Sequence, residues 1–145
     1  MTRINLVPPS ELTDQHLFAE FREIKMVPRA LARSLATKTV GEIVKRIPAK
    51  FTLNTGHVLF FYDKGQYLRN RYGELREELR LRGVNFNEAS LFDPDGTMSV
   101  EPWNGDYVPD EEAFSIIRAR IAEKIAMRPG WYKYKGVQHE NQSSL

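Results

Sequence analysis

The 145-residue sequence contains no cysteine. That excludes disulfides, thiolate nucleophiles and cysteine-based metal sites, and it fits a reducing compartment. The chain also lacks any apolar run near the roughly 18 residues that a membrane-spanning helix needs. Its start lacks the apolar stretch of a secretory signal. The expectation is a soluble, intracellular protein with no membrane partner. There is no GxxxxG-K-[ST] phosphate loop, no GxGxxG fingerprint and no paired-aspartate metal motif. The three histidines, His16, His57 and His139, stand apart without carboxylates at zinc-site spacing. Neither a metal nor a cofactor is expected. Asn141-Gln142-Ser143 matches a glycosylation sequon, but no export signal supports it.

What is present is an ordinary apolar fraction of 41%, with eight Phe and six Tyr to fill a core. This length supports one domain with one core. The net charge of +2 hides an uneven layout. Residues 22–50 hold eight Lys/Arg and two acids, a balance of +6, whereas residues 84–112 hold eight acids and no Lys or Arg. Such separation produces a basic face that attracts phosphate, unless both runs are merely solvated surface.

Periodicity predicts helices. Pro8-Pro9-Ser10 marks a turn, and Thr13 is placed to cap a helix running to about residue 37. Leu17, Phe21, Ile24, Leu31 and Leu35 form its buried stripe, and Arg22, Lys25, Arg29 and Arg33 form a basic ridge beside it. Pro28 removes one backbone donor and predicts a bend or break near Ile24. Residues 51–53 and 58–62 read either as short strands or as apolar packing segments. The second reading is preferred because no partner strand pattern occurs elsewhere. A second helix follows Asp63 and Gln66, which have capping-box spacing; Leu68, Tyr72, Leu75 and Leu79 form its stripe and Gly83 its stop. Residues 84–109 form a long connection pinned by Phe86, Leu91, Phe92 and Trp103. A third helix over about 111–128 is capped by Asp110, stopped by Pro129, and faces the core through Phe114, Ile117, Ile121 and Ile125. The expected fold is all-α: a compact single domain, residues 1–136, of three main helices with long irregular connections. Residues 137–145 form a polar tail.

Three features carry candidate chemistry. The tail Trp131-Tyr132-Lys133-Tyr134 alternates rings and charge, a pattern that stacks on bases while neutralising phosphate. Trp131 and Tyr132 equally suit sealing the core. Removal of Met1 would expose the α-amine of Thr2, whose reference pKa of about 7.7 leaves a neutral fraction able to attack a sugar C1′. Glu23, beside Arg22, either balances the ridge or acts as an acid/base tuned by it.

Several segments, in order, resemble the phage-type pyrimidine-dimer DNA glycosylase/AP lyase family. They are Met1-Thr2-Arg3-Ile4-Asn5-Leu6, Ser10-Glu11-Leu12, Asp14-Gln15-His16-Leu17 and Ala19-Glu20-Phe21-Arg22-Glu23. They continue through Gly56-His57-Val58, Phe60-Phe61-Tyr62-Asp63-Lys64, Tyr107-Val108-Pro109, Glu123-Lys124-Ile125-Ala126, Arg128-Pro129 and Trp131-Tyr132-Lys133-Tyr134. The resemblance runs over residues 1–136. It implies a compact helical fold, excision of one base of a cyclobutane pyrimidine dimer, and β-elimination at the resulting abasic site. It implies that the Thr2 α-amine is the nucleophile and that Glu23 supports glycosyl-bond cleavage and proton transfer. Arg3, Gln15, His16 and Arg22 match positions lining damaged DNA. Arg120 and Lys124 match backbone-contacting positions, and Trp131 to Tyr134 match the lesion-recognising tail. The implied partner is double-stranded DNA carrying pyrimidine dimers or abasic sites, which is bent with the base opposite the lesion flipped out; a monomer is expected. The chain departs from the family pattern at Met26, where an Arg is expected, and at Lys135, where another aromatic is expected. Two rival readings retain part of this pattern. A non-catalytic basic DNA-binding module needs neither Thr2 nor Glu23, and a broader glycosylase for oxidised or ring-opened bases keeps both.

Overall fold

The computed structural model describes residues 3–138. Thr2 and residues 139–145 lie outside the described residues. After a 3-10 turn at Pro9–Glu11, the chain forms α1 (Asp14–Glu23), α2 (Met26–Leu35), α3 (Val40–Arg46), α4 (His57–Phe60), α5 (Gly65–Leu81) and α6 (Glu111–Met127). The fold is all-α, apart from a two-residue hairpin in which Lys133 and Tyr134 pair with Gln138 and Val137. Lys135 and Gly136 turn that hairpin with φ of 51° and 84°, as a two-residue turn of matching twist requires.

The helix expected over 13–37 is two helices. Thr13 caps α1 by accepting the His16 amide, and the chain breaks at Ile24-Lys25 before resuming at Met26. Pro28 lies in the first turn of α2, where its missing N–H costs nothing, so the break falls just upstream of it. Residues 38–62 contain no strand. A helix unforeseen in the periodicity, α3, opens on a capping box between Thr39 and Glu42. Phe51, Phe60 and Phe61 are buried packing residues, as preferred.

Two expectations around α5 need correction. Asp63 and Gln66 form no capping box: Asp63 accepts from Lys64 Nζ and Gln66 donates to Asn70. The helix instead starts against the long connection, with the Gly65 amide donating to the Trp103 carbonyl at 2.7 Å. A Cβ at Gly65 would lie 2.7 Å from that same oxygen, so only glycine permits the approach. Leu91 is 61% exposed and pins nothing; Met98, fully buried, joins Phe92 and Trp103 in holding the connection down. Gly83 ends the helical segment at φ 71°.

The core lies between α1 and α5, where Phe21 stacks on Tyr72 with ring centroids 4.8 Å apart. Phe61 is surrounded by the rings of Phe51, His57, Phe60, Tyr67 and Tyr107. Asp110 caps α6 through the Ala113 amide. Ile117 is fully buried and Phe114 and Ile121 pack on the core, but Ile125 lies outside it, lining a surface groove with Val7 and Ala122. No helix of the described residues is long and apolar enough to cross a membrane.

Candidate active site

Residues 4–7, in the N-terminal arm, are buried, which requires their backbone polar groups to find partners. The Ile4 amide donates to His57 Nε2 at 2.9 Å. Glu20 Oε1 accepts from the Asn5 amide at 3.1 Å and from Asn5 Nδ2 at 2.9 Å. Arg71 donates to the Val7 carbonyl at 2.5 Å and makes a two-pronged pair with Glu20 at 2.7 and 3.0 Å. Glu20 and Arg71 are each 2% exposed. A buried pair of this kind holds only when the remaining hydrogen-bond capacity is filled, and here the arm fills it. Between these anchors Leu6 adopts φ 58°, a left-handed conformation uncommon for leucine and costing about 1–3 kcal/mol.

Arg3 and Asn5 of the arm line a cavity of about 330 Å³ together with His16, Ala19, Glu20, Glu23, Arg120, Ile121, Lys124 and Tyr132. That volume is at the lower end of the range for small-molecule sites. Of the residues singled out in the sequence, Arg3, His16, Glu23, Arg120, Lys124 and Tyr132 therefore meet in one place. They come from the arm, α1, α6 and the tail. Glu20 is committed to Arg71, which leaves Glu23 as the lining carboxylate facing three cations. Arg3 has its pKa lowered, first by burial and then by the like charge of Arg120, while Glu23 acts in the opposite sense. Such a mixed field suits a developing positive charge near Glu23 and a phosphate near the cations.

One wall is aromatic. Tyr132 is 8% exposed and stacks on His16, with centroids 4.7 Å apart and planes 15° from parallel. Thr13 Oγ1 and His16 Nδ1 lie 2.8 Å apart, which ties the imidazole to the helix cap. Trp131 takes the opposite role from its neighbour: it is 43% exposed, edge-on to Tyr132, with the Arg128 guanidinium 3.9 Å from its ring centroid.

The other singled-out residues do not line the cavity. Gln15 uses both ends of its amide on the tail, donating to the Trp131 carbonyl at 2.7 Å and accepting from the Lys133 amide at 2.9 Å. Asp14 accepts from the Lys135 and Gly136 amides and pairs with Arg82, so the start of α1 clamps the tail. Tyr134 donates to the Ser10 carbonyl, and Lys133 is exposed. Arg22, Arg29 and Arg33 are exposed on α1 and α2, and Lys25, at the break between them, donates to Ser90 at 2.9 Å. Thr2 lies outside the described residues, one position before Arg3 in the chain. Among the described residues no cluster of His, Cys, Asp or Glu is arranged to hold a metal.

Sequence reasoning missed Asn5, Glu20, His57 and Arg71. A signal existed. Glu20 falls three residues after Leu17 and four before Ile24, inside the apolar stripe of α1. Arg71 sits likewise between Leu68 and Leu75 on α5. A charged side chain on a buried stripe implies a buried partner.

A family model described as pyrimidine dimer DNA glycosylase matches residues 1–91. The match spans the arm, α1 to α5 and both Glu20 and Glu23; α6 and the tail, with Arg120, Lys124 and Tyr132, lie beyond it.

Proposed function

We infer, for a chain that belongs to the pyrimidine dimer DNA glycosylase family, a two-step reaction: base excision through a Schiff base, then strand cleavage by β-elimination. The observation that supports this reading best is the half-buried carboxylate of Glu23 in a cationic cavity that Arg3, one position after Thr2 in the chain, also lines.

In the proposed sequence the neutral Thr2 amine attacks C1′ of a dimer nucleotide. The C1′–N bond breaks, and the base leaves with its electron pair and takes a proton. The sugar ring opens to a protonated imine. Glu23 stabilises the positive charge that develops at C1′ and then assists proton movement at C2′. Loss of that C2′ proton expels the 3′-phosphate ester, and hydrolysis of the imine returns the amine. Arg3, Arg120 and Lys124 hold the flanking phosphates. Tyr132 with His16 forms the wall against which an extruded base rests, and Trp131 at the rim contacts the lesion. Arg22, Arg29 and Arg33 add sequence-independent attraction to the duplex.

The test is incubation of the Met1-processed protein with an abasic-site duplex and borohydride. A covalent adduct is expected, and it should vanish when the N-terminus is acetylated or extended by one residue. A non-catalytic DNA-binding module would give no adduct at all. Parallel reactions on dimer-containing and oxidised-base duplexes distinguish a dimer enzyme from a broader glycosylase.

A further inference from the structure

His57 lies 53 residues from the arm, yet both of its ring nitrogens are engaged to hold one orientation. Nδ1 is 2.8 Å from the Thr52 carbonyl oxygen. A carbonyl only accepts, so the proton sits on Nδ1 and Nε2 is left as an acceptor. That acceptor takes the Ile4 amide at 2.9 Å. The ring is 1% exposed, with the edges or faces of Phe51 and Phe61 against it at near-perpendicular angles. It cannot turn to find another partner, and Ile4 is fully buried, out of reach of solvent.

We propose that His57 is a positioning residue for the reaction: the acceptor nitrogen of its ring fixes the arm at Ile4 and thereby places the amino end that carries the nucleophile. This rests on the reading of the Thr2 amine as that nucleophile. Two residues of chain separate that amine from the Ile4 nitrogen, a reach of about 7 Å at most. Downstream, Glu20 holds Asn5 and Arg71 holds Val7, so the arm is fixed at three nearly successive points. His57 is the anchor nearest the amine.

The charged groups that face the ring are Arg3 from the arm and Glu20 from α1. Burial, the dominant influence, lowers the His57 pKa to about 4; the Thr52 hydrogen bond and Glu20 oppose this and Arg3 adds to it. The ring therefore stays neutral, with Nε2 an acceptor, throughout the range in which the amine of the arm titrates.

Two substitutions of similar size separate positioning from stability. In His57→Gln the side-chain amide extends to the place of Nε2 and keeps an acceptor for Ile4 while giving up Thr52. In His57→Asn it ends near the place of Nδ1, keeps Thr52 and gives up Ile4. Single-turnover imine trapping on abasic duplex is measured alongside binding to the same duplex bearing a reduced, unreactive site. The expected result is trapping within about threefold of wild type for His57→Gln and at least about tenfold slower for His57→Asn, the order expected when a nucleophile is misplaced. Duplex binding should stay within twofold for both. Replacing Ile4 by its α-hydroxy analogue, which turns the donor amide into an ester, deletes the same bond without altering His57 and should reproduce the Asn loss. Equal trapping rates for Gln and Asn variants, or wild-type trapping with the ester, overturns the proposal. Wild-type protein with an added N-terminal residue is the control: if it traps normally, the Thr2 reading itself has failed, whereas a dead extended protein beside a fully active Asn variant and a fully active ester condemns His57 alone.

Discussion

Replacing Arg71 by methionine should be among the most damaging single changes to the fold. Methionine fills similar space with no charge and no donor. Arg71 makes three short hydrogen bonds, two to Glu20 and one to the Val7 carbonyl, and it is 2% exposed. Its loss leaves Glu20 buried with only the two Asn5 donors as partners. Breaking one side of a buried pair costs about 3–5 kcal/mol, because the surviving charge is left uncompensated. For a chain of this size each 1 kcal/mol moves Tm by about 3–4 °C, so a drop of roughly 10–20 °C is expected. The double variant Glu20→Leu/Arg71→Met removes both charges and should be less destabilised than the sum of the two single variants by at least about 2 kcal/mol. It should not return to wild type, because the Asn5 amide and Val7 carbonyl each lose a partner, at about 1–3 kcal/mol apiece. Urea denaturation of the four proteins, with m-values checked for constancy, closes the cycle. A cost below about 1 kcal/mol for Arg71→Met, or strict additivity in the double variant, would refute the account of this pair as the arm's central anchor.

Other outcomes follow from the same geometry. Glu23→Gln should abolish most excision on dimer DNA while leaving Tm and duplex binding near wild type; in single-turnover assays its lyase rate on a preformed abasic site should fall less, since that substrate already offers an aldehyde at C1′. Equal, near-wild-type rates on both substrates would remove Glu23 from the mechanism. Trp131→Ala should leave Tm unchanged and reduce selectivity for dimer-containing over undamaged duplex by about 1–3 kcal/mol. Tyr132→Ala, by contrast, should lower stability by about 3 kcal/mol, as the buried ring leaves a cavity beside His16. Binding to undamaged duplex should fall with salt at a log–log slope of about −4 to −5, from four to six phosphate contacts, and a slope near zero would contradict the basic face. His57 is held neutral in the fold with a pKa of about 4, below its ordinary 6.5, so its share of stability is present above pH 6.5 and is lost as pH falls toward 4. Denaturation at pH 7 and pH 5 should show about 2 kcal/mol of that loss, absent in His57→Gln.

Much of this protein is determined by the order of its residues alone. The apolar spacing of Leu17, Phe21 and Ile24, and of Leu68, Tyr72, Leu75 and Leu79, fixes two helices, because burial favours one face wherever the period is that of a helix. Thr13, Asp110 and Gly83 mark ends because capping and left-handed stops are local chemistry. The family is legible in the ordered motifs of the first 91 residues. Other features are not local. Gly65 reads in sequence as a weak spot in a helix, yet only the approach of the Trp103 carbonyl makes glycine necessary there. Trp131 and Tyr132 are adjacent and chemically alike, and only the neighbouring α1, with His16, buries one and leaves the other exposed. Glu20 and Glu23 lie one helical turn apart with the same side chain. The tertiary structure alone separates them: Arg71 arrives from α5 to neutralise Glu20, while Arg3, Arg120 and Lys124 converge on the cavity that Glu23 faces. A carboxylate's role depends on which charges surround it, and those come from residues up to about 100 positions away, brought near only when the chain folds.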